Sequence, residues 1–162
     1  MKYLEGEERK EAEAYLLMAA SYAETATCSR AKCGAVIISP KVRLIGGGFN
    51  SPAGNKESRR RCVRRKSEYD EKVTDKTCCV HAEQRAIMDA LRSNPDHIEG
   101  ATMYFARLDS DTGLSDHHRP YCTICSKMMV DVGLKWFVRY QDGDIIRYDT
   151  EEYDLISADY RP

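Results

Sequence analysis

The chain has 162 residues, a length that suits one domain around one core. Hydrophobic residues make up 42% and charged residues 31%, and no apolar run approaches the ~20 residues of a membrane span, so a membrane-spanning chain is excluded. The formal net charge of −1 leaves no global attraction to nucleic acid or membrane surfaces, and "MKYLEGEERKEAEAYLL" is too charged for a secretory leader, so a cytoplasmic location is expected.

Residues 7–24 place Ala12, Tyr15, Leu16, Ala19, Ala20 and Ala23 at helical spacing opposite a charged face. "CGAVIIS" at 33–39 is short, apolar and β-branched, Pro40 closes it, and "RLIGGGFN" at 43–50 follows; the pair predicts an antiparallel hairpin. Gly46, Gly47 and Gly48 mark a close approach by backbone or ligand; the spacing of a phosphate loop is absent. Residues 51–77 read as a loop insertion crossed by "RRRCVRRK" and then by the acidic "SEYDEK". From His81 to Arg92 a stripe of Ala82, Ala86, Ile87, Ala90 and Leu91 predicts a helix, and "ATMYFARL" at 101–108 a strand. A polar stretch at 109–119 leads to a second helix over 122–132, stopped by Gly133. "LKWFVRY", the turn "QDGD" and "IIRYD" read as strand, turn and strand, with a short helix in the tail after Thr150. This order predicts a single domain over 1–162: a three-layer α/β/α fold with a mixed five-stranded sheet and helices on both faces.

Seven cysteines stand at 28, 33, 62, 78, 79, 122 and 125, an odd number that favours free or metal-binding thiols over a disulfide framework. Cys122-Thr-Ile-Cys125 is a C-x-x-C that comes too late in the chain for a thioredoxin-like redox motif. It is the one clean pair, so a four-cysteine zinc knuckle has no second half at standard spacing, and His81 is the best-placed third ligand. His81 and Cys122 both open helices, where backbone N–H groups and the helix dipole favour thiolate. Cys125 follows one turn later on the same side as Cys122. Three protein ligands leave a fourth zinc position open, the mark of a catalytic site. Glu83, two residues after His81, is assigned to proton transfer rather than to ligation.

"HAE" at 81–83 together with "PYCTIC" at 120–125 resembles the H-x-E…P-C-x-x-C signature of the zinc-dependent cytidine and deoxycytidylate deaminase superfamily. The resemblance covers roughly residues 10 to 140, and His81 in place of a cysteine, with "GGGFNSPAGN", brings the chain nearest to the deoxycytidylate (dCMP) deaminases. It implies a cytidine deaminase-like fold, one catalytic zinc on His81, Cys122 and Cys125, and Glu83 as the catalytic proton shuttle. It also implies that Asn50 contacts the sugar and that backbone at Ala82 and Pro120 reads the base. Three departures stand out. Tyr121 separates Pro120 from Cys122 and would lie at the pocket floor; "DSDTGLSDHH" is an insertion; "RYQDGDIIRYD" reads as a hairpin where the family commonly runs the last strand parallel.

The implied reaction is hydrolytic deamination of a cytosine nucleotide, dCMP to dUMP and ammonia, by an enzyme whose partners are a small-molecule nucleotide and further copies of itself. Tyr148, Tyr153 and Tyr160 read as leftover aromatic surface, which permits such an oligomer without showing it. Arginines within 59–65 are equally compatible with a solvated loop and with binding of a phosphate. Two other readings stay open: a deaminase acting on cytosine or adenine in single-stranded nucleic acid or tRNA, and a non-catalytic zinc- or nucleotide-binding protein. The remaining cysteines divide likewise: either Cys62 with Cys78 or Cys79, joined by Cys28, holds a second, structural zinc, or Cys33 and Cys79 pack in the core and the rest are free thiols. His117 and His118, in a polar loop, are expected to be solvated, and His97 to lie on the surface.

Overall fold

The computed structural model describes residues 1–73, 75–109, 113–114 and 122–160. In chain order the elements are β1 (Lys2–Tyr3), α1 (Gly6–Glu24), β2 (Lys32–Ile38), β3 (Leu44–Phe49), β4 (Ser51–Pro52), β5 (Cys79–Val80), α2 (Ala82–Ser93), β6 (Thr102–Asp109), β7 (Gly113–Leu114), α3 (Thr123–Asp131), β8 (Trp136–Gln141), β9 (Asp144–Asp149) and α4 (Thr150–Ala158). Single 3₁₀ turns at Ala53–Asn55, Glu57–Arg59 and Lys66–Glu68 punctuate the segment between β4 and β5, and Pro95–His97 forms another after α2. None of the helices among the described residues is long and apolar enough to cross a membrane.

The main sheet runs β1-β9-β8-β6-β2-β3, with β7 folded back onto β6. The expected three-layer α/β/α architecture with a mixed sheet is present, but the expectation of five strands is corrected to six along this path. The additional strand is β1, which pairs Lys2 with Arg147 and Tyr3 with Ile146; two residues are too few to show a period. β2 is antiparallel to both β3 and β6, while β6 and β8 are parallel. β8 and β9 form the expected hairpin. Its turn residues Asp142 and Gly143 have φ of 54° and 86°, the paired positive values that suit the twist of a two-residue hairpin.

Alternation along the strands sorts the layers. Ala35, Ile37, Met103 and Phe137 face a core filled by α2, α3 and α4, whereas Val36, Ala106 and Val138 face α1 through Leu16, Ala19 and Ala20. Tyr148 and Tyr153, expected at the surface, belong to the first core: they are 1% and 4% exposed, and the Tyr153 ring stands 4.5 Å from that of Phe137. The short tail helix α4 turns Tyr153 inward, and so removes it from any interface between copies.

The three glycines of β3 mark an approach by helices. A Cβ at Gly46 would lie 2.5 Å from the Ala86 carbonyl oxygen, and one at Gly48 2.6 Å from both the Ala82 carbonyl oxygen and the Ala86 nitrogen. Gly47, on the opposite face, would meet the Tyr22 ring at 2.3 Å. α2 therefore lies directly on the strand backbone. It also covers the edge of the sheet, because Asp89 accepts from the Gly47 N–H at 3.0 Å and Asn94 donates to the Ile45 carbonyl at 2.9 Å. Gly48→Ala is expected to destabilise the fold by about 1–3 kcal/mol through overpacking against helix backbone, read as a melting temperature lower by several degrees. An unchanged melting temperature would mean that α2 is free to shift outward.

Candidate metal centre and active-site cleft

Both helices of the expected metal site begin at one edge of the sheet. β3 and β6 run in the same direction, since each is antiparallel to β2. α2 follows β3 and α3 follows β6, so their N-termini meet beyond the ends of parallel strands, where crevices form in open α/β sheets. The ribbon β4–β5 aligns the entry to α2 by pairing Ser51 with Val80 and Pro52 with Cys79. Arg85 fastens this arrangement, donating to the Pro52 carbonyl at 3.0 Å. His81 is the N-cap of α2, and its own N–H donates to the Gln84 side chain at 2.9 Å. Cys122 is the N-cap of α3, with its carbonyl accepting the first helical bond from Ser126 at 3.0 Å.

His81, Cys122 and Cys125 converge. The His81 Nδ1 atom lies 3.3 Å from each of the two sulfurs. A tetrahedral zinc at ordinary bond lengths would set nitrogen and sulfur about 3.6 Å apart, so the three groups fit a zinc ion with a small outward adjustment. Cys125 is 1% exposed, and the other two are half-buried and open to the cleft. Without a metal the three share protons: hydrogen bonding from Cys125 and then from His81 holds the Cys122 thiol down at about 4. The bond to Cys122 lifts His81 to about 9, and Cys125 is pushed up by its bond to Cys122 and by burial. One thiolate and one imidazolium in contact make up a donor set that gains by exchanging protons for a divalent cation.

Glu83 lies in the first turn of α2, buried at 8% exposure. Burial raises its pKa, opposed by the charge of His81. The charge of this carboxyl in turn helps push the Cys125 thiol up, as befits a group beside the His81–Cys122–Cys125 cluster. A carboxyl in this environment exchanges a proton more readily near neutrality than a solvated one does.

His81, Glu83 and Cys122 floor a cleft of about 250 Å³. Phe105 on β6, Phe137 and Arg139 on β8, and Tyr153 on α4 complete the floor. Asn50 and Ala82 also line it. The Asn50 side chain accepts from the Cys33 N–H and donates to the Ala31 carbonyl, both at 2.9 Å, so it braces the start of β2 and retains one N–H and one lone pair. Of the arginines in 59–65, Arg61 lines the cleft, while Arg60 binds Glu57 and the Thr27 carbonyl. Pro120, Tyr121, His117 and His118 lie outside the described residues. Reading from sequence missed Phe105, Arg139 and Tyr153. The first two were accessible to strand alternation, since Arg139 is two residues from the core position Phe137 and its register partner on β6 is Phe105. Nothing in the tail sequence marked Tyr153.

Residues 9–141 match the family model described as "Cytidine and deoxycytidylate deaminase zinc-binding region". The chain belongs to this family. Among solved structures, a dCMP deaminase from the cyanophage S-TIM5 in complex with dCMP and dUMP shares 21% identity, with 80% of each chain covered and a TM-score of 0.57. The apo form of that protein gives 0.53 at 21% identity over 83% of this chain and 86% of the other. A cytidine deaminase from Burkholderia pseudomallei gives 0.56 at 18% identity, covering 87% of this chain and 94% of the other. These likenesses show the deaminase fold. A search by sequence among curated proteins finds no match. Within the family's zinc-binding region, Cys125→Ser is expected to remove one equivalent of zinc and to lower the melting temperature, because ligand binding is linked to folding. Unchanged zinc content would exclude Cys125 as a ligand.

Proposed function

We propose that the chain is a zinc-dependent hydrolase that deaminates a cytosine nucleotide, dCMP to dUMP and ammonia. The observation that carries this reading is the buried Glu83 carboxyl set against the His81–Cys122–Cys125 cluster on the floor of a single cleft. The chemistry supplied by zinc, when held by those three residues, is activation of water for attack at C4 of the ring. Glu83 accepts one proton of that water and delivers it to N3, then takes the second from the new hydroxyl on C4 and passes it to the amine as the C4–N bond breaks, giving the carbonyl and ammonia. Ala82, at the first position of α2, offers backbone to the base; Pro120 and Tyr121, the other residues expected at the base, lie outside the described residues. Asn50 offers its remaining amide hydrogen to the sugar. Phe105, Phe137 and Tyr153 exclude water from the floor, where Glu83 must hold its proton.

Charge supports a phosphorylated substrate. Arg30, Arg61, Lys66, Lys76, Arg107 and Arg139 line the cleft, and Glu83 is the one carboxylate among its described lining residues. An anionic ligand is thus favoured although the chain as a whole is nearly neutral. The same cations support the second reading, a deaminase of single-stranded nucleic acid. That enzyme would lose affinity steeply with salt, because each neutralised phosphate releases counterions, and a free nucleotide would not. A second, structural zinc belongs to this proposal, held by the thiols at 28, 62, 78 and 79.

Ammonia release measured across cytosine, deoxycytidine, dCMP, dCTP, single-stranded DNA and tRNA is expected to be fastest with dCMP; release from none of them would overturn the reaction class. Glu83→Gln is expected to keep its zinc and lose at least ~10²-fold in turnover, the range of a positioned acid–base group. Full activity in that variant would reduce the site to a binding function.

A further inference from the structure

Outside the catalytic cluster, the described residues hold one other group with metal-ligand geometry. The sulfurs of Cys28, Cys62 and Cys79 all lie within 4.8 Å of one another. Cys78 adds a fourth, 2.9 Å from the Cys62 sulfur and 3.8 Å from that of Cys79. A tetrahedral zinc with four thiolates spaces its sulfurs about 3.8 Å apart, and the 2.9 and 3.8 Å separations of Cys78 and the 4.8 Å limit on the other three bracket that value. The ligands come from three places: the turn after α1, the basic segment, and the strand that delivers His81.

The segment from 53 to 78 explains why such a clip is needed. None of its described residues is buried, and Val63 is 92% exposed. A stretch this long without a core of its own loses considerable entropy on ordering. Apart from the thiols, its ties to the body of the protein include Arg30, which donates to the Cys62 and Arg64 carbonyls at 2.8 and 2.9 Å, and Arg60, which donates to the Thr27 carbonyl at 2.5 Å. Arg60 also lies 3.6 Å from the Cys62 sulfur, where its charge favours thiolate. Yet this weakly anchored segment supplies Arg61, Lys66 and Lys76 to the cleft. Cys62 adjoins Arg61 in sequence, so the sulfur cluster fixes the chain next to a cation that faces the substrate.

We propose that the Cys28–Cys62–Cys78–Cys79 cluster is a zinc clip whose function is substrate selection: by pinning the basic segment it presents Arg61 and Lys66 to the phosphate of a nucleotide, and so sets the preference for nucleotide over nucleoside. This rests on the nucleotide reading above. The clip acts through the cations and makes no contact with the reacting ring. Loss of its metal therefore releases the phosphate end of the ligand and leaves the catalytic zinc in place.

The test uses the full chain, as wild type, Cys62→Ser and Arg61→Ala. Wild type should carry two zincs and bind dCMP at least tenfold more tightly than deoxycytidine in calorimetric titrations. Cys62→Ser should carry one zinc, lose most of that preference, and become open to proteolysis between 57 and 77. Arg61→Ala should lose preference while keeping both zincs and protease resistance, a combination that general unfolding does not produce. A single zinc in wild type, or a Cys62→Ser variant that loses zinc and keeps its preference, would overturn the clip. Should wild type bind neither compound, the nucleotide reading falls by itself. The clip is then judged by zinc count, proteolysis and affinity for inorganic phosphate, which must still drop in Cys62→Ser.

Discussion

The close approach of α2 to the glycine backbone of β3 is the constraint on which the site depends. Gly46 and Gly48 present no side chain to the helix, and any Cβ there would strike main-chain atoms rather than a movable side chain. With α2 at this depth, its N-cap His81 reaches within 3.3 Å of sulfurs that arrive on a different helix from a different strand. A shift of one ångström would separate donors that have no covalent link to each other. Asp89, Asn94 and Arg85 hold the same position by binding strand backbone, so the helix is fixed along its length as well as in depth.

Depth also governs electrostatics. The helix that places His81 for a metal carries Glu83 into the protein, where burial disfavours its charge. Such a carboxyl costs stability unless a positive charge stands nearby, and His81 is the group whose charge opposes the effect of burial. A divalent ion held by His81, Cys122 and Cys125 would act on the same carboxyl, so that ligation and the proton affinity of Glu83 would be linked. At the mouth of the cleft the balance reverses, and Arg61, Lys66 and Lys76 of the basic segment line it.

Much of this was legible in the residues. The period of 3.6 in α1 and α2, the β-branched run of β2 and the Asp-Gly turn of β8–β9 are local signals, and each element formed where its signal stood. That His81, Cys122 and Cys125 would come together was legible for a chemical reason, since a histidine and a C-x-x-C at two helix starts have few structural explanations. What was hidden depends on tertiary packing. β1 exists only because β9 offers it an edge. Tyr148 and Tyr153 read as surface until α4 folds back over β8. Asn50, expected from the resemblance to contact a sugar, also braces the Ala31–Cys33 backbone. The division of the remaining thiols was equally opaque: Cys28 and Cys62 are 34 positions apart in sequence and meet only through the path of an unburied segment.

The central claim is that one divalent ion joins side chains from two helices. Diffraction from crystals of the purified protein, with an anomalous difference map recorded at the zinc absorption edge, tests it most directly. A peak about 2.0–2.1 Å from the His81 Nδ1 atom and about 2.3 Å from both the Cys122 and Cys125 sulfurs is the predicted result. No peak at that position in protein purified without chelator, or one bonded to the thiols with His81 turned away, would contradict the account.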